Sequence, residues 1–143
     1  HLDETEKKLF DTAQKFRKIA YAPYSNFTVV CAILLENGEI ISGRNQENAA
    51  YASGLCAERT TIFWIGANFP DVKIKKLFVI GAPREALTSV PIPPCGACRQ
   101  SILEYEAKQL DPIEIYFASL DGAIYKTKSV RDLLPFSFDS SYL

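Results

Sequence analysis

The 143-residue sequence has a single histidine, and it is the first residue. A terminal His1 excludes a Ser-His-Asp triad, an internal His base and a His-rich metal site. Proton transfer therefore falls to a carboxylate, Cys, Tyr or Lys. There is no methionine, which predicts that the natural start lies outside this sequence. No apolar run is long enough to span a bilayer. The N-terminus, His1-Leu2-Asp3-Glu4-Thr5-Glu6, is acidic and lacks the basic-then-apolar order of a signal peptide. No run of Lys or Arg stands out, and the net charge is −1. Nucleic-acid binding rests on neutralising phosphates, so a small, nearly neutral substrate fits better. These absences predict a cytoplasmic protein that engages neither membrane nor nucleic acid. Disulfide scaffolds are short, Cys-dense and poor in core; this chain has four Cys and is 48% hydrophobic. That balance predicts one domain, residues 1–143, with a sizeable core.

What is present reads as an alternation of helices and strands. Leu9, Phe10, Ala13, Phe16, Ile19 and Ala20 recur at helical spacing and predict a helix over 3–20 with one buried face. Residues 21–26 break it. Phe27 to Leu35 is a β-branched and aliphatic run, hence a buried strand; Glu36-Asn37-Gly38-Glu39 is a hairpin turn, and Ile40 to Gly43 begins the return strand. Residues 45–55 read as a loop, and Cys56 to about Ala67 as a helix. Leu77 to Gly81 is a strand. Residues 83–94 form a proline-rich loop, with Pro93-Pro94 suited to the first turn of a helix that carries Cys98, Ile102, Leu103 and Tyr105. Ile113 to Phe117 and Ala123 to Thr127 are strands around a Leu120-Asp121-Gly122 turn. Ser129 or Ser137 starts a short terminal element. The order is α-β-β-α-β-α-β-β, an α/β chain whose helices cover one sheet. The last two strands are too close in sequence for a parallel crossover and should pair antiparallel.

Three segments carry chemistry: Cys56-Ala57-Glu58, Pro94-Cys95-Gly96-Ala97-Cys98, and Asn45-Gln46-Glu47-Asn48-Ala49-Ala50-Tyr51. The first two supply three thiols and a carboxylate. Cys56 and the Cys95/Cys98 pair each sit at a helix start, where free N–H groups stabilise thiolates. Three protein ligands leave a fourth tetrahedral position for water, the mark of a catalytic zinc site. Glu58 can reach that water without being a ligand. Arg59, on the same helix face as Cys56, can donate to the thiolates and draw off charge. Cys31, inside an aliphatic strand, reads as a small buried hydrophobe. The paired motifs match the three-Cys variant of the nucleobase deaminase signature, H-x-E followed by P-C-x-x-C.

From Tyr24-Ser25-Asn26-Phe27 to Leu133-Leu134-Pro135 the chain resembles the cytidine deaminase family, specifically its small homotetrameric type acting on free nucleosides. The resemblance implies a three-layer α-β-α fold with a mixed five-stranded sheet. It implies one zinc per chain on Cys56, Cys95 and Cys98, with Glu58 as the proton shuttle. It implies that Asn45 and Glu47 bind the ribose 3′-hydroxyl, that Tyr51 closes the loop near the sugar, that Phe27 packs on the pyrimidine and that the Ala57 backbone helps hold the base. Phe138 is similar to the aromatic that reaches a neighbouring subunit's base site. Phe136 stands where the family often has Gly, leaving two aromatics for that role. Val30-Cys31 replaces the usual Gly-Ala. The implied activity is hydrolysis of cytidine and 2′-deoxycytidine to the uridine products and ammonia, in pyrimidine salvage. Three alternatives stand beside it: deamination of another aminopyrimidine, editing of nucleic acid, and a zinc-stabilised binding module without catalysis.

Overall fold

The computed structural model describes residues 1–143. Helix α1 spans Glu4–Phe16, followed by a 3-10 turn at Arg17–Ile19. It starts at a capping box: Glu6 N donates to Asp3 Oδ1 at 2.8 Å, and Asp3 N donates to Glu6 Oε2 at 2.9 Å, which satisfies two of the amides left orphaned at a helix start. Strands β1 (Phe27–Leu35) and β2 (Ile40–Arg44) form the expected hairpin, with Gly38 taking φ 87° in its turn. Helix α2 (Ala57–Asn68), strand β3 (Ile74–Pro83), helix α3 (Gly96–Gln109) and strands β4 (Glu114–Ala118) and β5 (Ile124–Thr127) follow.

The sheet order is β2-β1-β3-β4-β5. Only β3 and β4 run parallel; β1 is antiparallel to both neighbours, and β4–β5 is the expected antiparallel pair. Both faces of the central strands are buried. In β1, Cys31, Ile33 and Leu35 join Leu77 and Val79 of β3 under α2 and α3, while Val30 and Ala32 join Phe78 and Ile80 under α1. Period-2 alternation splits one continuous apolar run between two cores. The result is the α-β-α sandwich, and Cys31 is the buried hydrophobe expected.

Four boundaries differ from the sequence reading. The N-terminal helix ends at Phe16 rather than 20, because Arg17 turns inward to bond β1 and β3. Strand β3 begins at Ile74, not Leu77: its lysines find carboxylates, with Lys76 on Glu6 at 2.7 Å, so they need not stay outside the strand. Pro93-Pro94 lie before the N-cap Cys95 rather than in the first turn. A 3-10 turn, Val130–Leu133, is capped by Ser129, whereas nothing begins at Ser137; the last turn, Ser140–Tyr142, is capped by Asp139.

One consequence of the topology positions everything else. Since β1 is antiparallel to both β2 and β3, β2 and β3 end at the same sheet edge, and β1 begins there. The helices that follow β2 and β3 therefore start side by side. Helix α2 lies so close to the sheet that a Cβ on Gly43 of β2 would fall 2.4 Å from Thr61 Oγ1 and 3.3 Å from the Thr61 backbone N. Gly43→Ala should cost about 1–3 kcal/mol through overpacking, read as a lower urea midpoint at unchanged slope. An unchanged midpoint would show that α2 can lift off the sheet freely.

Candidate active site

Cys56 and Cys95 are the N-cap residues of α2 and α3, both in extended backbone and neither making a side-chain capping bond. Capping does not account for them, since N-caps favour Ser, Thr, Asp and Asn. Their thiols serve another purpose. Cys56 Sγ lies 3.8 Å from Cys95 Sγ, and Cys95 Sγ 3.4 Å from Cys98 Sγ. All three sulfurs fall within 4.8 Å of one another. Tetrahedral zinc–thiolate bonds of about 2.3 Å require sulfurs roughly 3.8 Å apart, so this donor set fits zinc.

The protonation pattern agrees with the geometry. The hydrogen bond from Cys98, followed in effect by those from Arg59 and Cys95, holds the Cys56 thiol well below its ordinary value against the opposing effect of burial. Cys98 is pushed up by donating to Cys56, by burial and by the charge of Glu58. Arg59 Nε is buried with no hydrogen-bond partner, a costly state for a charged donor unless negative charge lies beside it. The sulfur cluster is that charge: burial lowers the Arg59 pKa, but Cys56 and Cys98 more than reverse it.

Glu58 is 4% exposed. Burial raises its carboxyl to about 7, and the Cys56 thiolate adds to the rise. A carboxyl poised there both accepts and returns a proton at neutral pH. Its place in the first turn of α2 fixes it beside the thiols.

A cavity of about 540 Å³ adjoins this cluster through Cys56, while Cys95, Cys98 and Glu58 are not among its lining residues; its size is within the range of small-ligand sites. Cys56 and Arg59 line one end; Asn45, Glu47, Tyr51, Tyr24 and Ser25 line the other. The loop between β2 and α2 is folded back on itself, with Gln46 and Leu55 exchanging two backbone bonds of 2.9 Å, which sets Cys56 at its place. Asn45 is locked onto β1: its Nδ2 donates to Phe27 O and its Oδ1 accepts from Val29 N, each at 2.9 Å. Glu47 accepts from Tyr24 N at 2.8 Å, from Ser25 N at 3.3 Å and from Ser25 Oγ. Burial pushes its carboxyl up, but these bonds win and hold it below the ordinary value. Tyr51 and Tyr24 meet edge to face at 5.9 Å on the rim.

Other expected site residues sit apart from the cavity lining. Phe27 places its ring over Gly81, where a Cβ would lie 3.1 Å from Phe27 Cε1, beside Val29, which does line the cavity. Ala57 is fully buried and its carbonyl accepts from Thr61 Oγ1 at 2.7 Å. Phe138 is on the surface, stacked on Tyr142 at 5.5 Å. The sequence reading gave no role to Tyr24, Ser25, Val29 or Arg99. Arg99 donates from Nε to Pro94 O and from Nη1 to Leu133 O, both at 2.8 Å, tying the Cys95 turn to the C-terminal segment. Only its place next to Cys98 hinted at this.

Three thiols and a buried carboxylate at the edge of a mixed sheet define a zinc-dependent hydrolytic site. Comparison with known proteins narrows the class. Residues 3–111 match the family model for the cytidine and deoxycytidylate deaminase zinc-binding region. The chain is 39% identical to the cytidine deaminase of Sporosarcina psychrophila over 96% of this chain and 93% of that one. It is 38% identical to the cytidine deaminase of Halalkalibacterium halodurans, over 91% of each. The crystal structure of the Burkholderia pseudomallei cytidine deaminase superposes with a TM-score of 0.80 at 35% identity, covering 96% of this chain and all of that one. The chain belongs to the cytidine and deoxycytidylate deaminase family.

Purified protein should carry about one zinc per chain, and Cys98→Ala should lose it. Glu58→Gln should keep the metal yet reduce turnover by at least ~10²–10⁴, the usual cost of losing a general acid-base group. Metal analysis beside an ammonia-release assay checks both; a near-normal Glu58→Gln enzyme would refute the assignment.

Proposed function

We propose that this protein is a cytidine deaminase, hydrolysing cytidine and 2′-deoxycytidine to uridine and 2′-deoxyuridine with release of ammonia, in cytoplasmic pyrimidine salvage. The observation that carries the reading is Glu58, buried beside a three-thiol cluster whose Cys56 lines a nucleoside-sized cavity. Zinc, when bound to Cys56, Cys95 and Cys98, would supply an acidified water for attack on C4. Glu58 would accept a proton from that water and give it to N3 of the ring; the proton of the hydroxyl added at C4, taken by the same carboxylate, would then go to the departing amine as the C4 carbonyl forms. Arg59 offsets thiolate charge. Phe27, behind Val29, and the Ala57 backbone shape the base end.

The polar end suits a sugar. Asn45 has spent one N–H and one lone pair on β1, which leaves one of each for a hydroxyl, held in fixed orientation. Glu47, ionised, has accepted three bonds of roughly four it can take, so one acceptor position remains. Together they donate to and accept from the 3′-hydroxyl, with Tyr51 flanking. These groups favour a nucleoside over a bare base. The net charge of −1 disfavours an editing substrate on nucleic acid. A nucleoside without the 3′-hydroxyl leaves the buried Asn45 and the partly exposed Glu47 short of a partner, at about 1–3 kcal/mol, so 3′-deoxycytidine should show a kcat/KM roughly 5- to 150-fold lower than cytidine. Equal efficiency would contradict the sugar assignment.

The same reading makes the active form a homotetramer whose sites are shared. Phe136 is fully exposed and Phe138 is 57% exposed, and aromatics in a row on a surface mark a contact. Phe138 then reaches the base in a neighbouring subunit. Phe138→Ala and Glu58→Gln, each impaired alone, should regain part of the activity when mixed and reassembled, because some sites combine an intact Glu58 with a neighbour's intact Phe138. A fully active Phe138→Ala enzyme, or an active monomer in sedimentation, would exclude shared sites.

A further inference from the structure

The wall of the cavity that carries Tyr24 and Ser25 is a loop, residues 18–26, with almost no core of its own. Ala20 and Ala22 are its only buried residues. It turns at Asn26, which adopts φ 54°, a left-handed conformation that Asn tolerates better than most side chains. Besides the backbone bonds of Tyr21 with Asn45 and Glu47, two side chains from elsewhere in the fold hold this loop. On the cavity side, Glu47 gathers Tyr24 N, Ser25 N and Ser25 Oγ. On the other side, Arg84, immediately after β3, grips both ends at once. Its Nη2 donates to Ala20 O at 3.1 Å and its Nη1 to Lys18 O. Its Nε donates to Asn26 Oδ1 at 3.2 Å, and its backbone N to Asn26 O at 2.9 Å.

We propose that Arg84 is a positioning residue for sugar recognition: it closes the 18–26 loop so that Ser25 and Tyr24 meet Glu47 and leave the spare acceptor of Glu47 facing the cavity. This rests on the assignment of Glu47 to the sugar. The planar fork of Arg is what the task requires, since three donors in fixed directions reach the start and the end of one loop; a lysine ammonium is a single point. A second arginine lies close by without duplicating the grip. Arg17 is buried and spends its Nη1 on Thr28 Oγ1 and on the carbonyls of Ala82 and Pro83. Burial and the nearby charge of Arg84 both lower its pKa. Two guanidiniums at close quarters repel, and the carbonyls gathered around each are what keep them there. Without Arg84, Tyr21 remains bonded through Asn45 O and Glu47 N, so the loop loosens rather than detaches. Glu47 then swings with Ser25 and loses its aim.

The test compares cytidine with 3′-deoxycytidine in the zinc-loaded wild type, Arg84→Ala and Arg84→Lys. If Arg84 acts through Glu47, Arg84→Ala should raise KM for cytidine about tenfold with kcat little changed. Its kcat/KM for 3′-deoxycytidine should stay near the wild-type value, so that discrimination between the two nucleosides falls to what Asn45, still held on β1, supports alone. Arg84→Lys should resemble Arg84→Ala, and it carries the test if Arg84→Ala does not fold. A merely structural role predicts equal losses on both substrates, or lost zinc; either result, or discrimination kept in both variants, overturns the proposal. If the wild type itself does not discriminate, the sugar assignment of Glu47 fails first, and the proposal with it.

Discussion

Three thiols lie within 4.8 Å of one another; as zinc ligands they would be thiolates that repel, and much of this fold makes that repulsion tolerable. Two helix N-termini meet at the cluster because β2 and β3 run in the same direction and end at the same edge. Each contributes free amides and the positive end of a dipole. Arg59 adds a full positive charge whose Nε has no other partner, and a divalent cation adds the rest. Remove the shared direction of β2 and β3, and Cys56 would sit at the opposite edge from Cys95. The same crowding of negative charge acts, after burial, on Glu58 and keeps its carboxyl near neutrality. A group that would be an ordinary ionised helix-start glutamate is thereby suited to the proton transfer proposed for it.

At the other end of the cavity, polar groups do two jobs at once. Asn45 and Glu47 spend most of their hydrogen-bonding capacity on the protein itself, stitching the loop after β2 to β1 and to the 18–26 loop. What remains is one donor and one acceptor on Asn45 and one acceptor on Glu47, each in a fixed direction. A side chain held by its own structural bonds loses little entropy when it binds a ligand, the advantage that the proposed sugar contacts would use. Arg84, as proposed, would extend this logic outward by one layer.

The face of the sheet under α1 carries no chemistry, and its charges show why. Glu6 is nearly buried, and burial would raise its pKa, but Lys76, Tyr116 and the Asp3 N–H hold it at about 2. Its partners are close: Lys76 at 2.7 Å and the Tyr116 hydroxyl at 2.5 Å. The charges around Glu6 are answered by opposite ones, the condition under which buried ions persist. Around Cys56, by contrast, the charges are arranged so that a cation and a substrate complete them.

Much of this was legible in residue order alone. The eight helices and strands follow from periodicity and turn residues, and the two Cys motifs announce their chemistry because few other uses explain three thiols and a carboxylate at helix starts. The capping box at Asp3 and Glu6 is local and readable. What lay beyond reach depends on groups far apart in the chain. That Lys76 belongs inside a strand requires Glu6, and that Glu47 is an anchored ion requires Ser25. Arg84 gripping Lys18 and Ala20, and Phe27 resting on Gly81, are likewise contacts between elements whose spacing in sequence carries no signal. The sequence by itself determined the chemistry, because thiol and carboxylate reactivity reside in the side chains and their motif spacing is local. Only the tertiary structure decided the aim of that chemistry, because strand direction and loop closure are set by long-range packing and hydrogen bonds that no local pattern encodes.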